Sequence, residues 1–220
     1  MSQLRELSPL EQMIQQQVVD RGISDERLVA AMRKVPRDKF FPPGSKDAVF
    51  ADRAAPIGHG QTISQPYMVA LMTQRLDVRE GSRVLEVGTG SGYHTAILAQ
   101  LAGEVYSVER VKPLLDAAWE RLMELGVKNA HFKFSDGTLG WKEQGPYDRI
   151  LITAGAPELP RKLLLEQLKD GGVAVLPVGP ADEQMLMVVK RKGDKLEQTE
   201  VVPCRFVKLI GAEGWREEKA

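Results

Sequence analysis

The sequence predicts an α/β fold: a doubly wound, mostly parallel sheet with an antiparallel C-terminal hairpin and an N-terminal helical extension. Three observations carry this. From Arg83 onward short apolar runs alternate with amphipathic helical patterns, the signature of a parallel sheet covered on both faces. Near the C-terminus two strand-like runs follow each other with only a Lys192-Gly193-Asp194 turn between them, which leaves no room for a crossover helix. Before residue 55 the periodicity is helical, with Leu10, Met13, Ile14 and Val18 on one face.

Taken in order, Gly22 closes the first helix. Ser24 is the expected cap of a second, with Asp25 and Glu26 in its first turn and Leu28, Ala31, Met32 and Val35 as its inner stripe. Pro36 ends it, and Pro42-Pro43-Gly44 prevents a continuation. Residues 51–60 read as irregular because Pro56, Gly58 and Gly60 break any period. Met68, Leu71, Met72 and Leu76 then mark a helix with Pro66 in its first turn, for which Ser64 is a natural cap. Strands are expected at 83–87, 104–108, 130–134, 148–153 and 172–177, helices at 93–102, 112–125 and 158–169, and hairpin strands from Met185 to Arg191 and Leu196 to Val202. With 220 residues and no linker or repeat, this reads as a single domain over 1–220. Within it, 1–55 is a helical extension, 56–80 an active-site loop and helix, and 81–220 the nucleotide-binding core.

Lys plus Arg and Asp plus Glu each number 30, so no global field draws the chain to nucleic acid or an anionic membrane. The single cysteine, Cys204, excludes an internal disulfide and a multi-cysteine metal site. His59, His94 and His131 lack ligand spacing, and no metal is expected. The start, Met1 to Leu7, has no apolar signal core, and no apolar run approaches the roughly 20 residues that span a bilayer. A cytoplasmic, monomeric protein is expected.

The centre of the chain is Arg83-Val-Leu-Glu-Val-Gly-Thr-Gly-Ser-Gly-Tyr93, a strand running into a glycine-dense turn and then a helix. Gly88, Gly90 and Gly92 remove the Cβ atoms that would keep a nucleotide from the backbone. The dinucleotide fingerprint G-x-G-x-x-G/A is not met, since its third small position falls on Tyr93. Glu86, at the carboxyl end of the strand, suits a cation better than a pyrophosphate. The amino group and sulfonium of S-adenosylmethionine (SAM) fit, in preference to NAD. Glu109 ends the next strand at about the offset where a carboxylate reaches ribose hydroxyls. The third strand ends at Asp136-Gly137, which reads equally as an adenine contact and as an ordinary turn. Thr153-Ala-Gly-Ala-Pro157 leaves space for a substrate beside the methyl group. Ser64, taken alone, reads as a helix cap rather than an active-site hydroxyl.

Several stretches together resemble one family: Pro56-Ile-Gly-His-Gly-Gln-Thr-Ile-Ser-Gln-Pro-Tyr67, Val84 to Tyr93, Tyr106-Ser-Val-Glu-Arg110, Asp136-Gly137, Pro146-Tyr-Asp148, Thr153 to Pro157, and Gly171-Gly172 through Gly179. The sequence is similar to protein-L-isoaspartate O-methyltransferases along nearly its whole length. The resemblance implies the Rossmann-like fold of SAM-dependent methyltransferases. It also implies methylation of the free carboxylate of L-isoaspartyl residues in damaged peptides and proteins, with S-adenosyl-L-homocysteine as product and repair through a succinimide. It makes Ser64 the active-site serine and places Gln61, Thr62 and Ile63 in the loop covering SAM. Glu86, Gly88 and Gly90 become contacts of the glycine turn, Glu109 the ribose ligand, and Asp136 with Gly137 the adenine contacts. His94 stands where bacterial relatives carry Gln, and Cys204 and Lys208 interrupt the usual Val-Arg-Phe-Val-Pro run. The competing readings are a SAM-dependent methyltransferase of RNA or a small metabolite, and a SAM-binding module without catalysis.

Overall fold

The computed structural model describes residues 7–217. The first six residues, on which the expectation about a secretion signal rests, lie outside that range. Helix α1 (Pro9–Gln17) starts where the Ser8 hydroxyl accepts from Glu11 N and Pro9 takes the first helical position. A 3-10 turn ending at Gly22 follows. Helix α2 (Glu26–Lys34) is capped by Asp25 rather than Ser24. The Asp25 carboxylate accepts from Arg27 N and Leu28 N (2.9 and 3.3 Å), while the amide of Ser24 donates to Gln74 Oε1 (2.8 Å). A charged acceptor one residue nearer the helix takes the capping position.

Residues 55–63 form a hairpin, β1 (Ala55–Gly58) with β2 (Gln61–Ile63), where the sequence reads as irregular. Its turn, His59-Gly60, has φ of 53° and 68°, the left-handed pair that a two-residue hairpin requires. The residues that look like breakers are therefore the turn. Helix α3 (Pro66–Leu76) begins at Pro66, and its N-cap residue is Gln65, with no side-chain capping bond.

The central sheet has the order β5-β4-β3-β6-β7-β8-β9, built from β3 (Arg83–Val87), β4 (Glu104–Glu109), β5 (Ala130–Phe134), β6 (Tyr147–Ile152), β7 (Leu168–Val178), β8 (Gln184–Lys192) and β9 (Lys195–Cys204). Pairs among β3 to β7 are parallel, and β7–β8 and β8–β9 are antiparallel. Helices α4 (Tyr93–Leu101), α5 (Lys112–Glu124) and α6 (Arg161–Gln167) are the crossovers. Helix α6 is shorter than expected at both ends. Pro160 holds its start back, and Leu168 leaves the helix to pair with Tyr147, so β7 starts earlier than residue 172.

The period-two pleat divides the core between the faces. Val84, Val105, Leu151 and Val175 pack with α1 to α4 on one side. Leu85, Val87, Val108, Ile150 and Ile152 pack with Leu163 and Leu164 of α6 on the other. The N-terminal helices share the first of these cores with α3 and α4, so they are part of one face of the sheet. The chain leaves β3 toward β4 in one direction and returns to β6 on its other side. That reversal opens a crevice at the carboxyl ends of β3 and β6, where ligands of such sheets bind.

Candidate active site

A cleft at that crevice is lined by the β2 segment, the glycine turn, the end of β4, Gly137, the end of β6 and residues 207–210. Gly88 N donates to Val108 O (2.8 Å), stitching the turn to β4. A Cβ on Gly88 would lie 2.4 Å from Thr153 Oγ1, which donates to Gly88 O (2.8 Å), and φ there is 97°. Gly92 instead serves packing, because a Cβ there would lie 3.2 Å from the Cβ of Ala118 in α5. The third glycine brings two helices together, and the first admits the Thr153 side chain against the turn.

Glu109 fastens this turn. Its Oε2 accepts from Gly90 N (2.9 Å), and its Oε1 from Arg110 N and Val111 N (2.8 and 2.9 Å). It lines the cleft, as do Gln61, Thr62, Ile63, Ser64, Gly88, Gly90 and Gly137. The structure thus brings together eight of the ten residues singled out from the sequence.

Glu86 and Asp136 are placed differently. Glu86 is 0 % exposed and sits behind the glycine turn rather than in the cleft wall. Its Oε2 accepts from Thr95 Oγ1 (2.5 Å) and Ser107 Oγ (2.6 Å), and its Oε1 has no partner. Burial pushes its pKa up to about 7; the two hydroxyls oppose the rise, and the Glu109 carboxylate adds to it. Its carboxylate is fully buried and does not line the cleft. Asp136 spends its carboxylate within the chain: Oδ1 accepts from Thr138 N and Thr138 Oγ1 (2.8 and 2.6 Å), and Oδ2 from Ala212 N (2.7 Å). It buckles the C-terminal segment to the end of β5 and borders a neighbouring depression.

That C-terminal segment, which the family resemblance marks only through the run interrupted at Cys204 and Lys208, enters the cleft at Val207 to Ile210. Gly155 N donates to Val207 O, and Leu209 N to Gly155 O (2.8 and 2.9 Å), while Trp215 Nε1 also donates to Gly155 O (3.0 Å). The Thr153–Pro157 loop, expected to be open, carries this strap, and Val207 to Ile210 form a wall of the cleft. His94 lines the cleft too. Its Nε2 lies 2.8 Å from Thr73 Oγ1, whose own hydrogen goes to Val69 O (2.7 Å). The assigned tautomer therefore carries its proton on Nε2. Burial pulls its pKa down to about 3, so the imidazole is neutral and is no general acid at physiological pH.

Ser64 stands opposite the glycine turn. Its hydroxyl makes no hydrogen bond among the described residues and does not cap α3, while its carbonyl accepts from Arg37 Nη2 (2.8 Å). The cleft thus offers a half-buried hydroxyl on one side and the glycine turn with the Glu109 carboxylate on the other. That combination fits a cationic nucleoside: the glycine turn carries no Cβ atoms at its glycines, Glu109 brings a carboxylate to the cleft wall, and Glu86 behind the turn, with a pKa of about 7, ionises in favour of a nearby cation. Among the described residues no group of three His, Cys, Asp or Glu side chains is placed to hold a metal.

A model of the family described as protein-L-isoaspartate(D-aspartate) O-methyltransferase matches residues 8–214. The chain belongs to this family. It is 50 % identical to the protein-L-isoaspartate O-methyltransferase of Dictyoglomus thermophilum, over 90 % of each chain. With that of Geobacter metallireducens it shares 49 % identity, over 94 % of this chain and 96 % of the relative. A solved protein-L-isoaspartate O-methyltransferase superposes with a TM-score of 0.83 at 29 % identity, covering 93 % of this chain and 67 % of the other. A Plasmodium falciparum structure described as a member, in complex with S-adenosyl-L-homocysteine, gives 0.80 at 27 % identity, covering 93 % and 99 %. The activity is methylation of isoaspartyl residues with SAM as the donor, on a Rossmann-like methyltransferase fold.

Proposed function

We propose that Ser64 orients the isoaspartyl carboxylate in this cleft and that the glycine turn with Glu109 holds the donor. The observation that carries this is the Ser64 hydroxyl, without a hydrogen-bond partner among the described residues and in the same cleft as the turn. When bound, the cofactor supplies an electrophilic methyl group on a sulfonium. The acceptor carboxylate has a pKa of about 4 and is already an anion at neutral pH, so it requires no base. The chain's contribution is orientation and exclusion of water. Ser64 donates to one carboxylate oxygen and aims the other; Gln61, Thr62 and Ile63 cover the donor; Val207 to Ile210 close the far wall. Glu109 meets the ribose with whatever acceptor capacity its three amide bonds leave, and Gly137 gives the adenine room. Glu86 acts through the turn as charge rather than as a contact. The methyl ester formed is a better leaving group than the acid, which leads to succinimide closure and repair.

The protein acts as a single unit and as a monomer in the cytoplasm, on isoaspartyl peptides and proteins. Balanced charge supports the reading without nucleic acid or membrane, and among the described residues no helix is long and apolar enough to cross a membrane. The test is incubation with methyl-labelled SAM and matched peptides carrying aspartate or isoaspartate. Base-labile label on the isoaspartyl peptide alone is expected. Equal labelling of both peptides, or base-stable label, overturns the reading.

A further inference from the structure

We propose that Arg37, in the turn after α2, is a positioning residue for methyl transfer: it holds the main chain of Ser64, and so its hydroxyl, in register with the first turn of α4. The inference rests on the role given to Ser64 above.

Arg37 is 1 % exposed, a rare state for arginine. Its Nε donates to Val49 O and its Nη2 to Ser64 O, both at 2.8 Å. Its guanidinium carbon lies 4.6 Å from the ring centroid of Tyr93 and 5.4 Å from that of Phe41. Among the described residues no carboxylate pairs with it. Its Nη1 and the Tyr93 hydroxyl are both buried, neither makes a hydrogen bond to any third group, and the two side chains interact with each other electrostatically. A buried cation with no anion and a spare donor is destabilising in itself, and an apolar side chain of similar size would fill the space at less cost. What a guanidinium does that such a side chain cannot is hold two carbonyls from different segments while stacking on an aromatic face.

Two of the three groups it joins, Ser64 and Tyr93, line the cleft. Val49 belongs to the helical extension, Ser64 to the acceptor side, and Tyr93 begins the helix that continues the glycine turn. The extension is thereby tied to the reaction centre through one side chain. Displacement of a reacting group by about 1 Å costs on the order of 100-fold in rate, so loosening the Ser64 carbonyl falls on turnover rather than on donor binding.

The experiment is a double-mutant cycle of Arg37→Met and Arg37→Lys with Ser64→Ala. The readouts are kcat on an isoaspartyl peptide, affinity for S-adenosyl-L-homocysteine and cooperative unfolding. In the Ser64 background Arg37→Met is expected to lower kcat by about 10- to 100-fold, with affinity for the homocysteine nucleoside changed less than about threefold. Arg37→Lys keeps the charge but spans only one carbonyl, and is expected to recover part of the loss. In the Ser64→Ala background both are expected to lower kcat by less than about threefold, because the group they orient is gone. Retained kcat in folded Arg37→Met or Arg37→Lys, with Ser64→Ala impaired, overturns this inference alone. So does an undiminished loss on top of Ser64→Ala. Wild-type turnover in Ser64→Ala overturns the Ser64 reading and this inference with it. If Arg37→Met does not unfold cooperatively, Arg37→Lys decides.

Discussion

Replacing Glu86 by Gln removes the one carboxylate that burial holds protonated near neutrality, and the size of the effect follows from its surroundings. The folded-state pKa is about 7, against 4.5 for the free side chain. A raised pKa means that the folded protein keeps the proton to higher pH than the unfolded chain does. The contribution to stability is therefore complete below pH 4.5 and is lost as pH rises through about 7. The shift corresponds to about 3 kcal/mol, or on the order of 10 °C in melting temperature for a chain of this size. Glutamine keeps an oxygen for Thr95 and Ser107 and does not titrate. Urea unfolding of both proteins between pH 5 and pH 8 is the assay. Relative to the variant, the wild type is expected to lose about 3 kcal/mol over this range, and the difference cancels groups common to both. A positively charged donor favours the ionised carboxylate, so SAM affinity in the wild type is expected to rise with pH up to about 7 and to be flat in the variant. The uncharged product is expected to show much less dependence in either protein. Parallel stability curves for the two proteins would refute the assignment of a buried, proton-holding Glu86.

Two further outcomes follow from the geometry. Gly88→Ala places a Cβ against Thr153 Oγ1 at a backbone φ of 97°, and is expected to lower stability by about 1–3 kcal/mol and SAM affinity by more than about tenfold, measured by calorimetry. Asp136→Ala releases Ala212 N and Thr138 from the C-terminal strap, and is expected to cost about 1–3 kcal/mol and to speed amide exchange at Leu209 and Trp215. Unchanged exchange there would mean that Asp136 does not fasten the strap.

The sheet was legible because its information is local. Strands β3 and β5 match the expected residues, and β4 and β6 are displaced by one residue at most; β3, β4 and β6 are buried parallel strands that read as short apolar runs bounded by breakers, while β5 is the half-exposed edge strand. The hairpin around His59-Gly60 was not legible, because the residues that make a left-handed turn are the same ones that mark irregular chain. Asp25 rather than Ser24 caps α2 because its carboxylate reaches Arg27 N and Leu28 N, while Gln74, distant in sequence, accepts from the amides of both residues. About half of the cleft wall could be assigned from the glycine turn and the Gln61–Ser64 stretch. The burial of Glu86 could not, because the hydroxyls that enclose it come from α4 and β4. The Asp136 buckle and the Val207–Ile210 wall arise from pairings with the distant C-terminal segment, such as that of Gly155 with Lys208, which leave no periodic trace. Arg37 carried no signal either: in sequence it is one arginine after a proline, and only the fold shows its guanidinium on the Ser64 carbonyl.

The central claim is that one hydroxyl aligns an already ionised acceptor and does not help to bind the donor. Measuring single-turnover methyl transfer and SAM affinity side by side in Ser64→Ala tests it most directly. The expected result is a rate lowered by about 100-fold with SAM affinity within about twofold of wild type. Equal loss of rate and affinity, or an unchanged rate, would contradict it.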